Sequence, residues 1–397
     1  MKLKTFPIFL AFLCMGFGDA VATFVGKAKD TFSLTNFEAQ LVSFMGFIMF
    51  GLLSVPMGII QNKISKKNTL LIGLLLAFIG VILVLILGVH SYAVFLTAVL
   101  LLGAGAAILQ VAGNPIMRDV SEEGNYSSNL SLGQFIKAIG SNTAPVVFSV
   151  LALLAGAKAT GSAEAEAAKS TFEWDLVFTI FAIGFAATML AVFKLKIKET
   201  KSESTVTVGS CLSLLANPYV LAMVAGIFVY VGAENCISNG MPIYFTSKFG
   251  VASDLATQYV TYFFLAIMAA RLVGAAILRA IKPKTFLIIS AAVSLAGFAM
   301  LLPESKILTT VALFVIALGY ANMFPLIFSM AIDKMPSKAN ELSGLMVTAI
   351  VGAAILPPAM GIVADVTKSN LIGFVVPFAA MVYILLLSLF VSDKKAE

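Results

Sequence analysis

Long apolar stretches separated by short polar connections follow one another from one end of the chain to the other. Measured against the roughly 20 apolar residues that cross about 30 Å of hydrocarbon, they predict twelve spanning helices. Six run near Phe6 to Phe24, Glu38 to Ile60, Thr69 to Val89, Ala93 to Met117, Leu130 to Leu154 and Trp174 to Leu195. Six more run near Asn217 to Phe245, Thr257 to Leu278, Thr285 to Leu302, Ile307 to Ile332, Glu341 to Val363 and Leu371 to Val391. The first stretch, with lysines ahead of it, invites comparison with a removable leader. It outruns the apolar core of a leader, carries Asp19 in its middle and is followed by many further spans, so it is read as a helix of the mature chain.

Composition agrees with the pattern. The 397 residues are 60% hydrophobic and 12% charged. Soluble domains average roughly 45–50% apolar and about 25% charged, so water is not the main solvent of this chain. Cys14, Cys211 and Cys236 have no paired spacing and His90 stands alone, so neither a disulfide framework nor a metal site is expected. The net charge of +6 does not point to nucleic acid, because the lysines sit in short loops and no basic surface is interleaved with aromatics. With the N-terminus inside, the inner segments collect Lys2, Lys4, Lys63, Lys66, Lys67, Arg118, the run from Lys194 to Lys201, Arg279, Lys282, Lys284, Lys334, Lys338, Lys394 and Lys395. The outer segments hold far fewer, among them Lys27, Lys158, Lys248 and Lys306. This bias puts both termini in the cytoplasm, favours an even number of spans, and implies a multi-pass protein of the cell inner membrane. No Walker loop, G-x-S-x-G or HExxH motif is found, so neither an enzyme nor ATP-driven transport by this chain alone is expected.

The two halves echo one another. Gly58 to Thr69 and Gly274 to Thr285 share Gly, a basic residue five on, Lys eight on and Thr eleven on, all at an offset of 216. Gly140 and Pro145 match Gly352 and Pro357 at an offset of 212. The polar stretch from Lys194 to Gly209 reads as the connection, giving bundles at 1–195 and 217–397 with a cytoplasmic linker at 196–216.

Several segments then carry a family resemblance. The segment Gly58 to Lys67 resembles the signature between the second and third spans of the major facilitator superfamily, with Asn62 where an Asp is usual. Phe32 to Phe37, Gly113-Asn114-Pro115, Tyr230 to Glu234, Met323 to Ser329 and Ala349 to Pro358 are similar to the fucose permease family of proton-linked sugar symporters. The resemblance implies an all-α membrane protein of twelve transmembrane helices in two six-helix bundles related by pseudo-two-fold symmetry, with a substrate site between the halves near the midplane. It also implies a monomer that takes up a small-molecule sugar through the lipid bilayer with a proton, needs no other cofactor and binds no nucleic acid. Two departures stand out. Where the family has Glu-x-Ala-x-Asn-Pro, this chain has Gln110, Ala112, Asn114 and Pro115; where the family has Gln-x-x-Asn, it has Gln134 and Lys137.

Asp19, Lys137, Glu234 and Arg271 are ionisable residues well inside apolar stretches. A charge at the bilayer centre costs roughly 2.5–3.5 kcal/mol on insertion scales, so each should face a partner or a wet cavity. Asp19 is read as the proton carrier or the counter-ion of Lys137. A carboxylate's proton affinity rises on desolvation and falls beside an ammonium, so moving substrate or water between the two would load and unload a proton. Lys137 either clamps an acidic substrate, such as a sugar acid or other organic anion carried by a uniporter or exchanger, or only neutralises Asp19. Gln110, Asn114 and Gln134 offer the paired donors and acceptors that suit sugar hydroxyls, or bond neighbouring helices. Asn235 and Asn239 are expected to touch substrate beside a helix break at Gly240 and Pro242. Glu234 is expected to titrate or to pair with Arg271. Asn322 precedes a predicted interruption at Met323-Phe324-Pro325 that would serve as a hinge. Phe17, Tyr230, Tyr262 and Phe324 are aromatic faces that could stack on a pyranose, although ordinary apolar filling is the commoner use.

Overall fold

The computed structural model describes residues 5–34, 36–89, 91–155, 163–197, 199 and 207–391. His90, Thr35, the lysines at both termini and most of the polar linker lie outside the described residues. Every regular element described is helical, as hydrocarbon demands of a chain that must satisfy its own backbone groups. In the first half these are α1 (Phe6–Asp19), α2 (Val21–Phe32), α3 (Asn36–Ile64), α4 (Lys66–Leu87), α5 (Tyr92–Val120), α6 (Tyr126–Ser141), α7 (Thr143–Ala155) and α8 (Ala163–Lys194). A short α9 (Val208–Ser213) leads into α10 (Pro218–Phe249), α11 (Ser253–Ile277), α12 (Pro283–Ala299), α13 (Lys306–Tyr320) and α14 (Met323–Lys334). The chain ends with α15 (Ala339–Thr348), α16 (Gly352–Thr367), α17 (Asn370–Gly373) and α18 (Val375–Phe390).

Among the described residues, nine stretches are long and apolar enough to cross a membrane. The other three predicted spans are shorter or interrupted: α1 followed by α2, α6 followed by α7, and α12. Proline explains two of the breaks, because its ring clashes with the carbonyl four residues back. Pro145 sits four residues after Ser141, where α6 stops, and Pro325 sits four residues after Ala321, which caps α13. The interruption expected at Met323-Phe324-Pro325 is therefore present just ahead of it, at Ala321 and Asn322, and those three residues open α14.

The break expected at Gly240 and Pro242 is not. Helix α10 runs unbroken from Pro218 to Phe249 with Pro242 inside it. Gly240 serves packing instead: a Cβ there would come within 2.8 Å of Met360 Cε and 3.0 Å of Phe374. Proline is tolerated inside membrane helices, and Pro56 of α3 and Pro115 of α5 likewise sit within continuous helices.

The chain groups into two compact units, Met1–Val120 with Ile136–Ser202, and Ser121–Phe135 with Glu203–Glu397. The start of α6 thus belongs to the second unit, where the Ser127 and Ser329 hydroxyls lie 2.7 Å apart and Ser128 donates to the Ala275 carbonyl at 2.5 Å. Within each unit the helices meet at glycines, since association in lipid rests on close backbone approach. A Cβ on Gly103 of α5 would lie 2.1 Å from the Gly46 carbonyl oxygen of α3.

Gly103→Ala is expected to force these helices apart and cost about 1–3 kcal/mol, the usual range for overpacking. Gly51→Ala, on the same α3 but with nothing within 4 Å of the added carbon, is expected to leave the unfolding temperature in detergent unchanged. Equal behaviour of the two variants in a thermal unfolding assay would contradict the packing account.

Candidate functional site

The first unit builds its polar centre from a helix crossing. A Cβ on Gly16 would stand 2.0 Å from the Lys137 carbonyl oxygen, and one on Gly140 would stand 2.1 Å from that of Leu13. Helices α1 and α6 therefore touch backbone to backbone at these two glycines. One turn beyond Gly16 lies Asp19, and one turn before Gly140 lies Lys137. The Lys137 ammonium reaches Asp19 Oδ2 at 2.9 Å and donates to Gln110 Oε1 of α5 at 3.0 Å. Ser141 donates to the same Asp19 oxygen at 3.4 Å and to the Lys137 carbonyl at 3.1 Å. The side chains of Lys137 and Asp19 are 13% and 29% exposed, so the pair is reachable by water and is not sealed in the core. One turn from Gln110, Asn114 is fully buried. Phe17, between the two key positions of α1, is stacked on Phe181 at 4.3 Å and belongs to the apolar filling.

The second unit repeats the crossing with a different base. A Cβ on Gly232 of α10 would stand 2.8 Å from the Gly352 carbonyl oxygen of α16, and one on Gly352 would stand 2.1 Å from that of Phe228. Gly16 matches Gly232 at an offset of 216 and Gly140 matches Gly352 at 212, the same two offsets that relate the halves in sequence. Glu234 follows Gly232 by two residues where Asp19 follows Gly16 by three, so the position equivalent to Asp19 is Asn235 and the acid stands one residue earlier. The position equivalent to Lys137 is Ala349, however, and the cation comes from α11: Arg271 Nη2 lies 4.0 Å from Glu234 Oε1. Arg271 also donates from Nε to the Ala321 carbonyl at 3.0 Å, at the break after α13.

Asn322 sits in that break and is 2% exposed. Its amide donates to the Ala270 carbonyl at 3.0 Å and lies over Gly274, where a Cβ would come within 2.2 Å of it. In this conformation Asn322 fastens α11 to the interruption. Tyr230 and Tyr320 are buried 5.8 Å apart, and Phe324 is buried, while Tyr262 is exposed. On α10, Asn235 donates to the Val231 carbonyl of its own helix at 2.8 Å, and Asn239 one turn later is exposed. Gln134 groups with the second unit, buried, with its Nε2 lacking a hydrogen-bond partner among the described residues.

The structure thus joins Asp19, Lys137 and Gln110, and separately brings Glu234 towards Arg271. Sequence reasoning marked Gly140 and Gly352 as a repeat match but missed Ser141, Gly16 and Gly232, because glycine is too common in membrane helices to show which ones meet. It also missed the partners of the signature loop. Lys66 is buried and its ammonium lies 2.5 Å from Asp119 Oδ2. The Glu199 carboxylate accepts the backbone N–H groups of Lys66 and Lys67 at 2.6 and 3.0 Å, satisfying the orphan donors at the start of α4. Asn62, the departure from the signature, lies 3.5 Å from the Gly58 carbonyl of its own helix.

Comparison with known proteins follows the same lines. A family model described as Major Facilitator Superfamily matches residues 8–358. A glucose/galactose transporter of Brucella abortus is 32% identical over 366 residues, which cover 90% of this chain and 86% of that protein. The L-fucose-proton symporter of Escherichia coli is 25% identical over 359 residues, covering 85% and 81%. The crystal structure of the transporter FucP in its outward conformation has the same fold, with a TM-score of 0.83 at 22% identity over 96% of this chain and 98% of that one.

A double-mutant cycle of Asp19→Asn and Lys137→Gln, read by unfolding in detergent, is expected to give a modest coupling energy. It should fall in the lower half of the range of roughly 0.5–3 kcal/mol usual for contacting residues, because water screens a pair this exposed. Additive single effects would remove the pair from the energetics of the α1–α6 crossing.

Proposed function

Since this chain belongs to the Major Facilitator Superfamily, we propose that it is a secondary transporter that takes up a neutral sugar with a proton by alternating access. The observation that carries the reading is the half-wet triad of Asp19, Lys137 and Gln110, at the depth where the apolar helices would otherwise exclude charge. The names of the glucose/galactose transporter and the L-fucose-proton symporter support the sugar as substrate.

The chemistry proceeds from the triad. Lys137 is occupied by a carboxylate and an amide oxygen, so it offers no free cation to an acidic substrate in this state. That favours a neutral sugar over a sugar acid or another organic anion. Because Gln110 uses its oxygen on Lys137, its amide N–H groups remain to donate to sugar hydroxyls. Gln134 brings a buried N–H group, Asn235 keeps its oxygen, and exposed Asn239 keeps its whole amide. Asn114 follows Gln110 by one turn in the first unit, and in the second unit Asn322 becomes available to a hydroxyl when the break it fastens moves. A proton arriving on Asp19 cancels its attraction for Lys137, loosens the α1–α6 contact and frees ammonium and amide together. This is how proton and sugar become linked. Glu234, 4.0 Å from Arg271, is the second group placed to take a proton. The chain works as a monomer in the cell inner membrane with both termini in the cytoplasm.

Proteoliposomes with an imposed pH gradient test this. Wild type is expected to accumulate neutral hexoses above their outside concentration, and Asp19→Asn is expected to exchange them across the membrane without accumulation. Lys137→Gln is expected to weaken uptake of every sugar. Loss of acidic substrates alone in that variant would transfer the site to sugar acids. Accumulation by Asp19→Asn equal to wild type would eliminate Asp19 as the proton site.

A further inference from the structure

Away from the charged centres, the second unit contains a cavity of about 530 Å³ where α10 begins and α14 and α18 end. Its size falls within the roughly 300–1,000 Å³ of small-molecule sites. The wall is aliphatic and aromatic, formed by Ala222, Leu386 and Phe390 with the rings of Tyr219 and Tyr383. Both tyrosine hydroxyls are committed elsewhere, donating to the carbonyls of Met330 at 3.1 Å and Ala222 at 2.9 Å. What faces the cavity is ring rather than hydroxyl. The one cation in the wall is Lys334, in the last turn of α14, whose ammonium stands 4.2 Å from the centroid of the Tyr219 ring. Among the described residues no carboxylate lies within 4.0 Å of that ammonium, whereas the nearby Lys338 is paired with Glu341 at 3.7 Å.

An apolar trough lined by one ammonium that pairs with no carboxylate among the described residues has the shape and charge of neither a sugar site nor a free-anion site. A sugar would meet almost no donors or acceptors, and a bare phosphate would gain nothing from the aromatic wall. We propose that this cavity holds one anionic phospholipid, its phosphate on the Lys334 ammonium and an acyl chain against Ala222, Leu386 and Phe390. The lysine bias reads this end of the unit as the inner one, where anionic headgroups and basic clusters meet. Tyrosines at such a depth are the usual mark of the lipid interface, with the ring in apolar surroundings and the hydroxyl on a polar partner. Phe390, 84% exposed, extends the apolar wall outwards from the cavity.

The test is native mass spectrometry of the full chain in detergent, titrated with phosphatidylglycerol and with phosphatidylcholine of identical acyl chains. Wild type is expected to prefer phosphatidylglycerol by about fivefold, the worth of one lysine near a lipid surface. Lys334→Gln should remove that preference without changing the unfolding temperature measured free of lipid. Ala222→Phe, which fills the trough and keeps the cation, should lower binding of both lipids. Millimolar inorganic phosphate should not displace phosphatidylglycerol, and displacement by phosphate would reassign the site to a free anion. Equal binding of the two lipids by wild type, or an unchanged preference in Lys334→Gln, would overturn the proposal. So would a preference that emerges only after removal of residues 392–397, since the chain's own tail would then be the occupant.

Discussion

A bilayer interior offers no water to an unpaired charge, and the charged groups within the helices of this chain answer that one constraint. Lys137 meets it with a carboxylate and an amide oxygen, and Arg271 with a more distant carboxylate and a backbone carbonyl. The first arrangement depends on helices approaching more closely than ordinary side chains allow. Gly16 and Gly140 bring α1 against α6, and only then can Asp19 and Lys137, one turn away on either side, reach each other. The pair is a product of backbone geometry before it is one of charge.

What the sequence made legible follows from the same physics. The apolar runs revealed the helices because about 20 residues of hydrocarbon-compatible chain cannot be hidden. The four ionisable residues announced themselves by their cost, and the two pairs proposed between them are the two the structure contains. The breaks were harder. Pro145 and Pro325 each end a helix four residues earlier, while Pro242, equally plain in sequence, leaves α10 intact, as Pro56 leaves α3 and Pro115 leaves α5. A proline alone does not say whether its helix stops. Asn322 was found for its place beside a break, yet its orientation towards Ala270 is decided by the gap above Gly274, far back along the chain.

Membership of the Major Facilitator Superfamily rests on most of the chain, while the individuality of this member lies in a handful of exchanges. This chain has Gln110 and Lys137 where the fucose permease resemblance implies a Glu and an Asn, an amide in place of an acid on one helix and a base in place of an amide on another. Asp19 is held directly by that base. Asp19, Lys137 and Gln110 therefore form one cluster, so on the function proposed above the group that meets the sugar also meets the carboxylate that takes the proton.

The duplicated crossing has a further consequence. Both units repeat the glycine contact and the acid beside it, but the partner cation sits on the helix across that contact in one case and on α11 in the other. Sliding α1 along α6 would pull the first pair apart, whereas the same slide of α10 along α16 leaves the second pair whole as long as α11 travels with α10. The molecule thus carries two similar latches that answer to different displacements.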